Sequence, residues 1–229
     1  MFVPLHDDTP LKVIRFQYVT LAIIAANVVI YLASGAFTSD QVIAALAAGY
    51  GIVPAELTGH IAPMPGANPV PEPLTLVTYM FLHGSWWHLI ANMLFLWVFA
   101  DNIEDAFGYV AFALFYLFCG VAAGLTHALM ASASAAPLIG ASGAVSGVIG
   151  GYALLYPRAR VWILLFMRLP LRIGALWVIG GWFLLQVASL FLAGGGDVEV
   201  AWWAHIGGFI AGLAITFVLR SRLLIRIGD

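Results

Sequence analysis

The sequence predicts an all-α membrane protein, a bundle of six transmembrane helices with both termini in the cytoplasm. Hydrophobic residues make up 63% of the 229 residues and charged residues only 9%, whereas soluble domains carry about 25% charged residues. Several uncharged stretches reach the roughly 20 residues that a helix needs to cross a bilayer. The nine Lys and Arg residues all fall on one side of the membrane if the chain crosses six times. A large soluble domain is therefore excluded.

Six hydrophobic segments follow from the stretches without charge, and we number them in chain order. The stretch 106–157 is long enough for two segments, which small residues and Pro137 separate near 132–137. The predicted segments are 16–39, 73–100, the two halves of 106–157, 173–196 and 200–219. No repeat and no second domain is evident, so we expect residues 16–220 to form one membrane domain.

The basic residues set the predicted orientation. They lie before segment 1, between segments 4 and 5, and after segment 6. Cytoplasmic loops carry an excess of Lys and Arg, so we expect this side to be cytoplasmic. Residues 1–15 would then form a short cytoplasmic N-terminal segment, and residues 221–229 a short cytoplasmic tail.

The long external loop, about 38–73, has two different halves. Its first part, 39–50, could form a short amphipathic helix on the membrane surface. Its second part contains six prolines between 54 and 73, and proline at that density favours an extended, non-helical backbone. A loop of this length can be a lid or a binding element, or it can be a passive tether, and the sequence leaves both open.

Polar residues gather where segments 2, 4 and 6 begin, which is the predicted outer side. His88 and Asn92 lie four residues apart and therefore on one face of segment 2. Ser142 lies in the first turn of segment 4, and His205 lies shortly after the start of segment 6. A helix rises about 1.5 Å per residue, which places Ser142 and His205 at a similar depth inside the bilayer. Polar groups at that depth are costly and usually face one another or a water-filled cavity.

This set of residues suits nucleophilic catalysis. A serine hydroxyl is a weak nucleophile until a base takes its proton, and His205 is the candidate base for Ser142. The oxyanion of a tetrahedral intermediate needs hydrogen-bond donors, which His88, Asn92 and the backbone N–H of Ser142 could supply. Asp101 is too far along segment 2, about 20 Å beyond His88. We therefore expect a Ser–His dyad and no acidic third member.

Small residues recur every fourth position in segments 4 and 6. Such faces let two membrane helices approach closely, and a hydrogen bond of about 3 Å between Ser142 and His205 needs that approach. Gly150 lies one residue off the face in segment 4, so we expect it to lie outside the contact. The two faces consist of Gly143, Gly147 and Gly151, and of Ala204, Gly208 and Gly212.

Four motifs in this order resemble the rhomboid intramembrane serine proteases. They are Phe-Leu-His-Gly-Ser-Trp-Trp-His at 81–88, His-x-x-x-Asn at 88–92, Gly-Ala-Ser-Gly at 140–143 and Ala-His-Ile-Gly-Gly at 204–208. The resemblance implies a six-helix rhomboid-like bundle that cleaves transmembrane protein substrates near the outer leaflet. By matching positions it implies that Ser142 is the nucleophile and His205 the base. It also implies that His88 and Asn92 stabilise the oxyanion.

The chain departs from the pattern of this family at two places. Many relatives carry an aromatic residue four positions after the serine, where it stacks on the catalytic histidine; this chain has Ser146, which leaves open what orients His205. The Trp-Arg pair that some relatives carry in the first external loop is absent, so the seating of that loop does not transfer. Glu104 matches a family glutamate that fastens the inner end of the second helix.

Two other functions compete with proteolysis. A rhomboid-like protein without catalysis could bind or escort membrane proteins, but the presence of both Ser142 and His205 argues against this. A transporter could use the intramembrane histidines as a proton path, but segments 1, 3 and 5 carry no acid or base except His127. No His-Glu-x-x-His is present for a zinc protease, and the Gly-x-Gly-Asp at 194–197, a pattern of aspartyl proteases, is interpreted as a loop.

The remaining expectations concern partners and location. We expect the partners to be the lipid bilayer and transmembrane protein substrates, with no cofactor and no metal. The net charge of −2 gives no sign of a nucleic-acid partner. The N-terminus does not resemble a transit peptide, which favours a bacterial or archaeal plasma membrane. The sequence does not identify the substrate or the oligomeric state.

Overall fold

A computed structural model describes residues 2–62, 69–192 and 202–228. The chain in these ranges is mostly helical, with one small antiparallel sheet whose strand order is β1-β2-β3. The strands are β1 (Phe2–Asp7), β2 (Arg160–Leu165) and β3 (Leu169–Gly174). The helices are α1 (Tyr18–Ser34), α2 (Asp40–Tyr50), α3 (Pro54–Leu57), α4 (Glu72–Thr78), α5 (Trp86–Phe107), α6 (Tyr109–Met130), α7 (Ser142–Leu155), α8 (Ala175–Leu192) and α9 (Trp202–Ile227).

Three of the helices in the described ranges are long and apolar enough to cross a bilayer, namely α6, α8 and α9. Helices α1 and α7 are apolar but shorter, and α5 carries Asp101, Glu104 and Asp105 in its last turns. The predicted segments 1 to 6 correspond to α1 and to α5 through α9. The predicted break in 106–157 is confirmed, because α6 ends at Met130 and α7 begins at Ser142.

Segment 2 begins later than predicted. The prediction of one helix from residue 73 is wrong, because the chain first forms α4 and a 3₁₀ turn (Tyr79–Phe81). The long helix α5 starts only at Trp86, where the backbone of Ser85 is extended and its side chain accepts a hydrogen bond from His88 N–H at 3.2 Å. Serine in this position satisfies one of the free N–H groups at a helix start. This cap fixes where His88 and Asn92 lie.

The external loop contains more helix than its prolines suggested. The helix predicted at 39–50 is confirmed as α2, but Pro54 and Pro73 both lie in the first turn of short helices, α3 and α4. Proline is accepted there because the N–H groups of the first turn have no partner within the helix. Residues 63–68 of this loop, and the Gly-x-Gly-Asp at 194–197, lie outside the described residues.

The middle of the external loop is tied to the loop that leads into α7. Ile52 and Leu138 form an antiparallel bridge, with N–H to carbonyl distances of 3.0 and 2.7 Å. The N–H of Ala55 also donates to the carbonyl of Ser134 at 2.9 Å. Ile52 is completely buried. This part of the loop therefore supports the turn that precedes Ser142.

The basic stretch between segments 4 and 5 forms a hairpin, β2–β3, which the sequence did not predict. Val161 and Ile163 of β2 are buried while Arg160 and Trp162 are exposed, the two-residue alternation of a strand with one covered face. Strand β1 pairs with β2 from the other side. The sheet follows the last turn of α7, so it lies at the opposite end of that helix from Ser142.

Buried carboxylates hold the N-terminal segment against α5 and α7. Asp7 at the end of β1 accepts hydrogen bonds from the hydroxyl of Tyr152 at 2.6 Å and from the amide of Asn102 at 3.3 Å. Burial raises the pKa of Asp7, an effect that the Tyr152 hydroxyl opposes. Asp105 accepts from three successive backbone N–H groups, those of residues 12–14, at 2.7 to 2.8 Å. The N-terminal segment is thus a fixed part of the fold.

Glu104 fastens the start of α1 to the end of α5. Its carboxylate accepts from the backbone N–H groups of Val19 at 2.9 Å and Thr20 at 2.7 Å, and from the Thr20 hydroxyl at 2.7 Å. The first N–H groups of a helix lack internal partners and carry partial positive charge, so a carboxylate is well suited there. This geometry gives Glu104 the structural role that the family resemblance implied.

Candidate active site

Helices α7 and α9 touch through glycine backbones. A Cβ atom on Gly208 would lie 2.0 Å from the carbonyl oxygen of Gly143, and a Cβ on Gly212 would lie 1.9 Å from that of Gly147. Real side chains do not approach backbone so closely, so only glycine fits at these positions. The predicted close approach of the two small-residue faces is confirmed. It brings the first turns of α7 and α9 side by side.

Gly150 belongs to the same contact, contrary to prediction. A Cβ on Gly150 would lie 2.4 Å from the carbonyl oxygen of Phe209 in α9. In a helix, residues three positions apart lie on the same face, just as residues four positions apart do. Gly147 and Gly150 therefore both face α9. The prediction considered only the four-residue spacing and therefore placed Gly150 outside the contact.

Ser142 and His205 meet at the end of this contact. Ser142 is the first residue of α7 and His205 lies in the first turn of α9. The Nε2 atom of His205 lies 2.9 Å from the Oγ atom of Ser142, a normal hydrogen-bond length. Both residues are only half-buried. The structure therefore brings together the two residues predicted as nucleophile and base, in a position that another molecule can reach.

The turn before Ser142 is fixed by its own contacts. Gly140 has a φ of +121°, which an L side chain rarely adopts. Its N–H donates to the carbonyl of Tyr79 at 2.8 Å, and the Tyr79 hydroxyl donates to the carbonyl of Gly120 at 2.7 Å. Tyr79 is completely buried. A rigid turn of this kind holds a nucleophile in one orientation.

The second ring nitrogen of His205 also has a partner, which the sequence did not reveal. The Nδ1 atom lies 2.7 Å from Oε1 of Gln186 in α8. Two tryptophan rings lie nearby, with centroids 6.2 Å (Trp182) and 6.1 Å (Trp202) from that of His205. The hydroxyl of Ser146 donates to the carbonyl of Ser142 at 2.6 Å. The one available signal for Gln186 was an amide in an otherwise apolar segment.

The two side chains predicted as oxyanion donors, His88 and Asn92, lie at different distances from the turn that precedes Ser142. The His88 ring lies against the turn before Ser142, since a Cβ on Gly140 would be 2.5 Å from His88 Nε2. The buried amide of Asn92 donates to the carbonyl of His88 one turn back on α5, at 2.9 Å. An amide carries two N–H donors, so this bond uses one of them. The structure therefore brings His88 next to the Ser142 turn and Asn92 one helical turn further along.

Backbone donors are also present at Ser142. The first N–H groups of a helix have no partner within it, and the helix end carries partial positive charge. Ser142 is the first residue of α7, so these groups belong to the same helical turn as its hydroxyl. Among the described residues, no group of three or more His, Cys, Asp or Glu side chains could hold a metal ion. The arrangement offers a serine, an imidazole and nearby donors, a set that suits acyl transfer.

Comparison with known proteins identifies relatives of this chain. The family model "Rhomboid domain" matches residues 71–222. RHOMBOID-like protein 6, mitochondrial, of Arabidopsis thaliana is 31% identical over 151 residues, which cover 66% of this chain and 45% of the relative. Rhomboid protein 1, mitochondrial, of Saccharomyces cerevisiae is 33% identical over 153 residues, covering 63% and 41%.

A third relative is named as a protease. Rhomboid-like protease 3 of Toxoplasma gondii is 31% identical over 148 residues, which cover 65% of this chain and 52% of the relative. The chain thus spans about half the length of the curated relatives it matches. The family model covers the stretch from α4 into the last turns of α9, including Ser142 and His205. This chain belongs to the rhomboid family.

Proposed function

We propose that this protein is an intramembrane serine endopeptidase, which hydrolyses peptide bonds in or near the transmembrane segments of membrane proteins. The observation that carries the proposal is the 2.9 Å contact between Ser142 Oγ and His205 Nε2 in a chain of the rhomboid family. The name of one relative, Rhomboid-like protease 3, agrees with this activity. A non-catalytic escort protein would have no need of this hydrogen bond.

The geometry supports a two-step acyl transfer. His205 Nε2 takes the proton of Ser142 as Oγ attacks the carbonyl carbon of the substrate. When the tetrahedral intermediate collapses, the C–N bond breaks and the imidazolium gives its proton to the leaving amine. His205 then takes a proton from the water that attacks the acyl-serine ester. When the second tetrahedral intermediate collapses, the bond between the acyl carbon and Ser142 Oγ breaks, the imidazolium returns its proton to Oγ, and the acid leaves. The contact between α7 and α9 thus serves both steps.

The negative charge on the substrate oxygen needs donors during both steps. His88 lies against the turn before Ser142, Asn92 lies one turn further along α5, and the first N–H groups of α7 begin at Ser142 itself. Preorganised donors of this kind are worth more in a site that excludes water. We assign His88, Asn92 and the Ser142 backbone N–H to this role.

The Asn92→Ala variant tests that assignment. A full oxyanion donor contributes roughly 10²–10³-fold to kcat, so we expect turnover to fall in that range while KM changes little. The measurement is steady-state cleavage of a fluorogenic single-span substrate in detergent micelles.

Asn27 offers a matched control for this variant. It is a buried asparagine on α1 whose amide makes the same bond to the carbonyl four residues back, Ile23, at 2.9 Å. We expect the control variant, Asn27→Ala, to retain kcat even if its stability falls. A loss in Asn92→Ala that appears only as a higher KM or as unfolding would make Asn92 a tie between helices.

The proposal includes six membrane crossings, by α1 and α5 through α9, with both termini in the cytoplasm. Helix α7 has 14 residues and is about 21 Å long, less than the hydrocarbon core of about 30 Å. With its last turn near the cytoplasmic hairpin, Ser142 would lie below the outer surface. A cysteine at the exposed Met167 of the hairpin, in a Cys119→Ala background, should react with an impermeant maleimide only after permeabilisation. Labelling from outside would refute this topology.

The relatives bear on which membrane holds the protein. The chain is an integral membrane protein, but the relatives described above are eukaryotic and two are named mitochondrial. They give no support to the predicted bacterial or archaeal plasma membrane, which stays a prediction.

Labelling with a fluorophosphonate tests the proposed activity directly. Such a reagent bonds covalently to a serine only when a base activates the hydroxyl. We expect the wild-type protein to be labelled and the Ser142→Ala variant to remain unlabelled. Equal labelling of both proteins, or none of the wild type, would contradict the proposal.

A further inference from the structure

Gln186 lies where the third member of a catalytic triad would lie. We propose that Gln186 is a positioning residue, which holds the His205 imidazole in the tautomer and orientation needed to take the proton from Ser142. This inference rests on the proposed function but concerns a residue that the family resemblance does not assign. It also answers the question that Ser146 left open, namely what orients His205.

The hydrogen-bond partners of the ring determine its tautomer. A carbonyl oxygen can only accept, so the 2.7 Å contact with Gln186 Oε1 requires a hydrogen on His205 Nδ1. A neutral imidazole carries hydrogen on one nitrogen only. The Nε2 atom therefore has a free lone pair, and it is this atom that lies 2.9 Å from Ser142 Oγ. The amide thus selects the form of His205 that can act as a base.

The orientation of the Gln186 amide has its own support. Its Nε2 group donates to the carbonyl of Trp182 at 3.5 Å, one turn back on α8. Turning the amide over would place its oxygen against that carbonyl oxygen and its NH₂ group against His205 Nδ1. The first pair would be two acceptors in contact, which is unfavourable inside a protein. The Gln186 side chain is only 7% exposed, so water does not substitute for these partners.

Aromatic packing fixes the distance between Gln186 and His205. Phe183 stacks on Phe209 with centroids 4.3 Å apart, and Trp182 lies 6.4 Å from the same ring. These contacts join α8 to α9 one turn further along α9 than His205. Because the spacing of the two helices is set there, the amide reaches Nδ1 without a change in either backbone.

The same hydrogen bond strengthens during catalysis. When His205 becomes an imidazolium, its Nδ1–H donates to Gln186 as a charge-assisted bond, which is stronger than a neutral one. A carboxylate would stabilise the imidazolium more, but a permanent charge inside the membrane is costly. A neutral amide is therefore a suitable partner at this depth.

The Gln186→Met variant tests the proposal, since methionine has a similar length and no oxygen acceptor. Loss of a hydrogen bond to a charged group corresponds to a rate loss of about 10- to 150-fold, so we expect kcat to fall in that range with KM unchanged. The acid limb of kcat against pH should move to lower pH, because the imidazolium loses an acceptor. Gln186→Glu keeps the acceptor and adds negative charge, so its acid limb should move to higher pH.

The other titratable groups near His205 are the same in all variants, so they do not account for a shift of the acid limb between them. Among the residues that the structure describes, the titratable side chains that act on His205 electrostatically are His88 on α5 and His127 on α6, and both are kept in all variants. Helix α8 has no titratable residue, and the one tyrosine of α7, Tyr152, lies near the end of that helix away from Ser142. Gln41→Met, at an exposed position of α2, is the matched control and should leave kcat and the pH profile unchanged. A packing role alone would change thermal stability in both Gln186 variants without moving the acid limb.

A second readout does not depend on turnover. In protein with ¹⁵N-labelled histidine, the His205 signal, identified by its loss in His205→Ala, should show a protonated Nδ1. The Gln186→Met variant should shift it toward the other tautomer. If the tautomer of His205 and the acid limb of kcat are both unchanged in Gln186→Met, while cleavage still depends on Ser142, the proposed role of Gln186 is wrong and the proposed function stands. Absence of Ser142-dependent cleavage in the wild type would overturn the proposed function, and the ¹⁵N spectra would still decide whether Gln186 sets the tautomer.

Discussion

The Ser142→Ala and His205→Ala variants are each expected to abolish cleavage of a single-span membrane substrate. The nucleophile and its base act as one unit, so either loss removes nearly the whole contribution of the pair. In a soluble serine protease that contribution to kcat is about 10⁶-fold. The double variant should therefore be hardly worse than either single one. Cleavage assays in reconstituted vesicles, with product identified by mass spectrometry, measure this.

Two control variants separate chemistry from folding. Ser39 lies at the start of α2, where its side chain makes no capping hydrogen bond, and His60 is exposed in the external loop. Alanine at either position should leave turnover unchanged. Thermal unfolding of Ser142→Ala should match that of the wild type. Near-normal turnover in either dyad variant, or additive losses in the double variant, would show that the two residues do not form the catalytic unit.

The contact between Ser142 and His205 could be predicted because its signals are local. A serine among glycines, a histidine near a helix start and four-residue spacing of small residues can each be found within one segment. The cost of polar groups in a bilayer then makes it favourable for them to meet. The closeness of Gly208 to Gly143 follows from the same spacing. These features needed no knowledge of how the helices cross.

Features that depend on contacts between distant segments could not be predicted. Gln186 carries no charge, and its role appears only when the crossing of α8 and α9 brings it to His205. Gly150 lies on the face of α7 that α9 covers, and only its contact with Phe209 of α9 shows that the three-residue spacing from Gly147 is used as well. The β2–β3 hairpin was interpreted only as a cluster of arginines, since its strands gain stability by pairing with each other and with the N-terminal strand β1. In each case the missing information was a partner elsewhere in the chain.

The start of α5 was missed for a different reason. Hydrophobicity alone continues from residue 73 to residue 100, but the helix is set by the Ser85 cap. The apolar run therefore contains α4, a turn and the beginning of α5. The cap is a local sequence signal, but the prediction defined segment 2 only by its lack of charged residues.

The second large effect is expected from a single added methyl group, in Gly208→Ala. The new Cβ would lie 2.0 Å from the carbonyl oxygen of Gly143, so α9 must move away from α7 by more than about 1 Å to restore normal contact. Gly143 is the neighbour of Ser142, and Gly208 is one turn from His205. The hydrogen bond between Ser142 and His205 would lengthen by a similar amount. A misplacement of about 1 Å can cost on the order of 10²-fold in rate.

Two further alanine variants test whether the loss of rate depends on where the clash lies. Gly181 in α8 is exposed and has nothing within 4 Å of its added Cβ, so Gly181→Ala should keep both activity and thermal stability. Gly212→Ala meets the carbonyl oxygen of Gly147 at 1.9 Å, one turn further from the dyad. It should lower thermal stability about as much as Gly208→Ala but reduce kcat less, because the displacement is centred away from His205. Equal kcat in Gly208→Ala and Gly181→Ala would mean that close contact between α7 and α9 is not what holds Ser142 against His205.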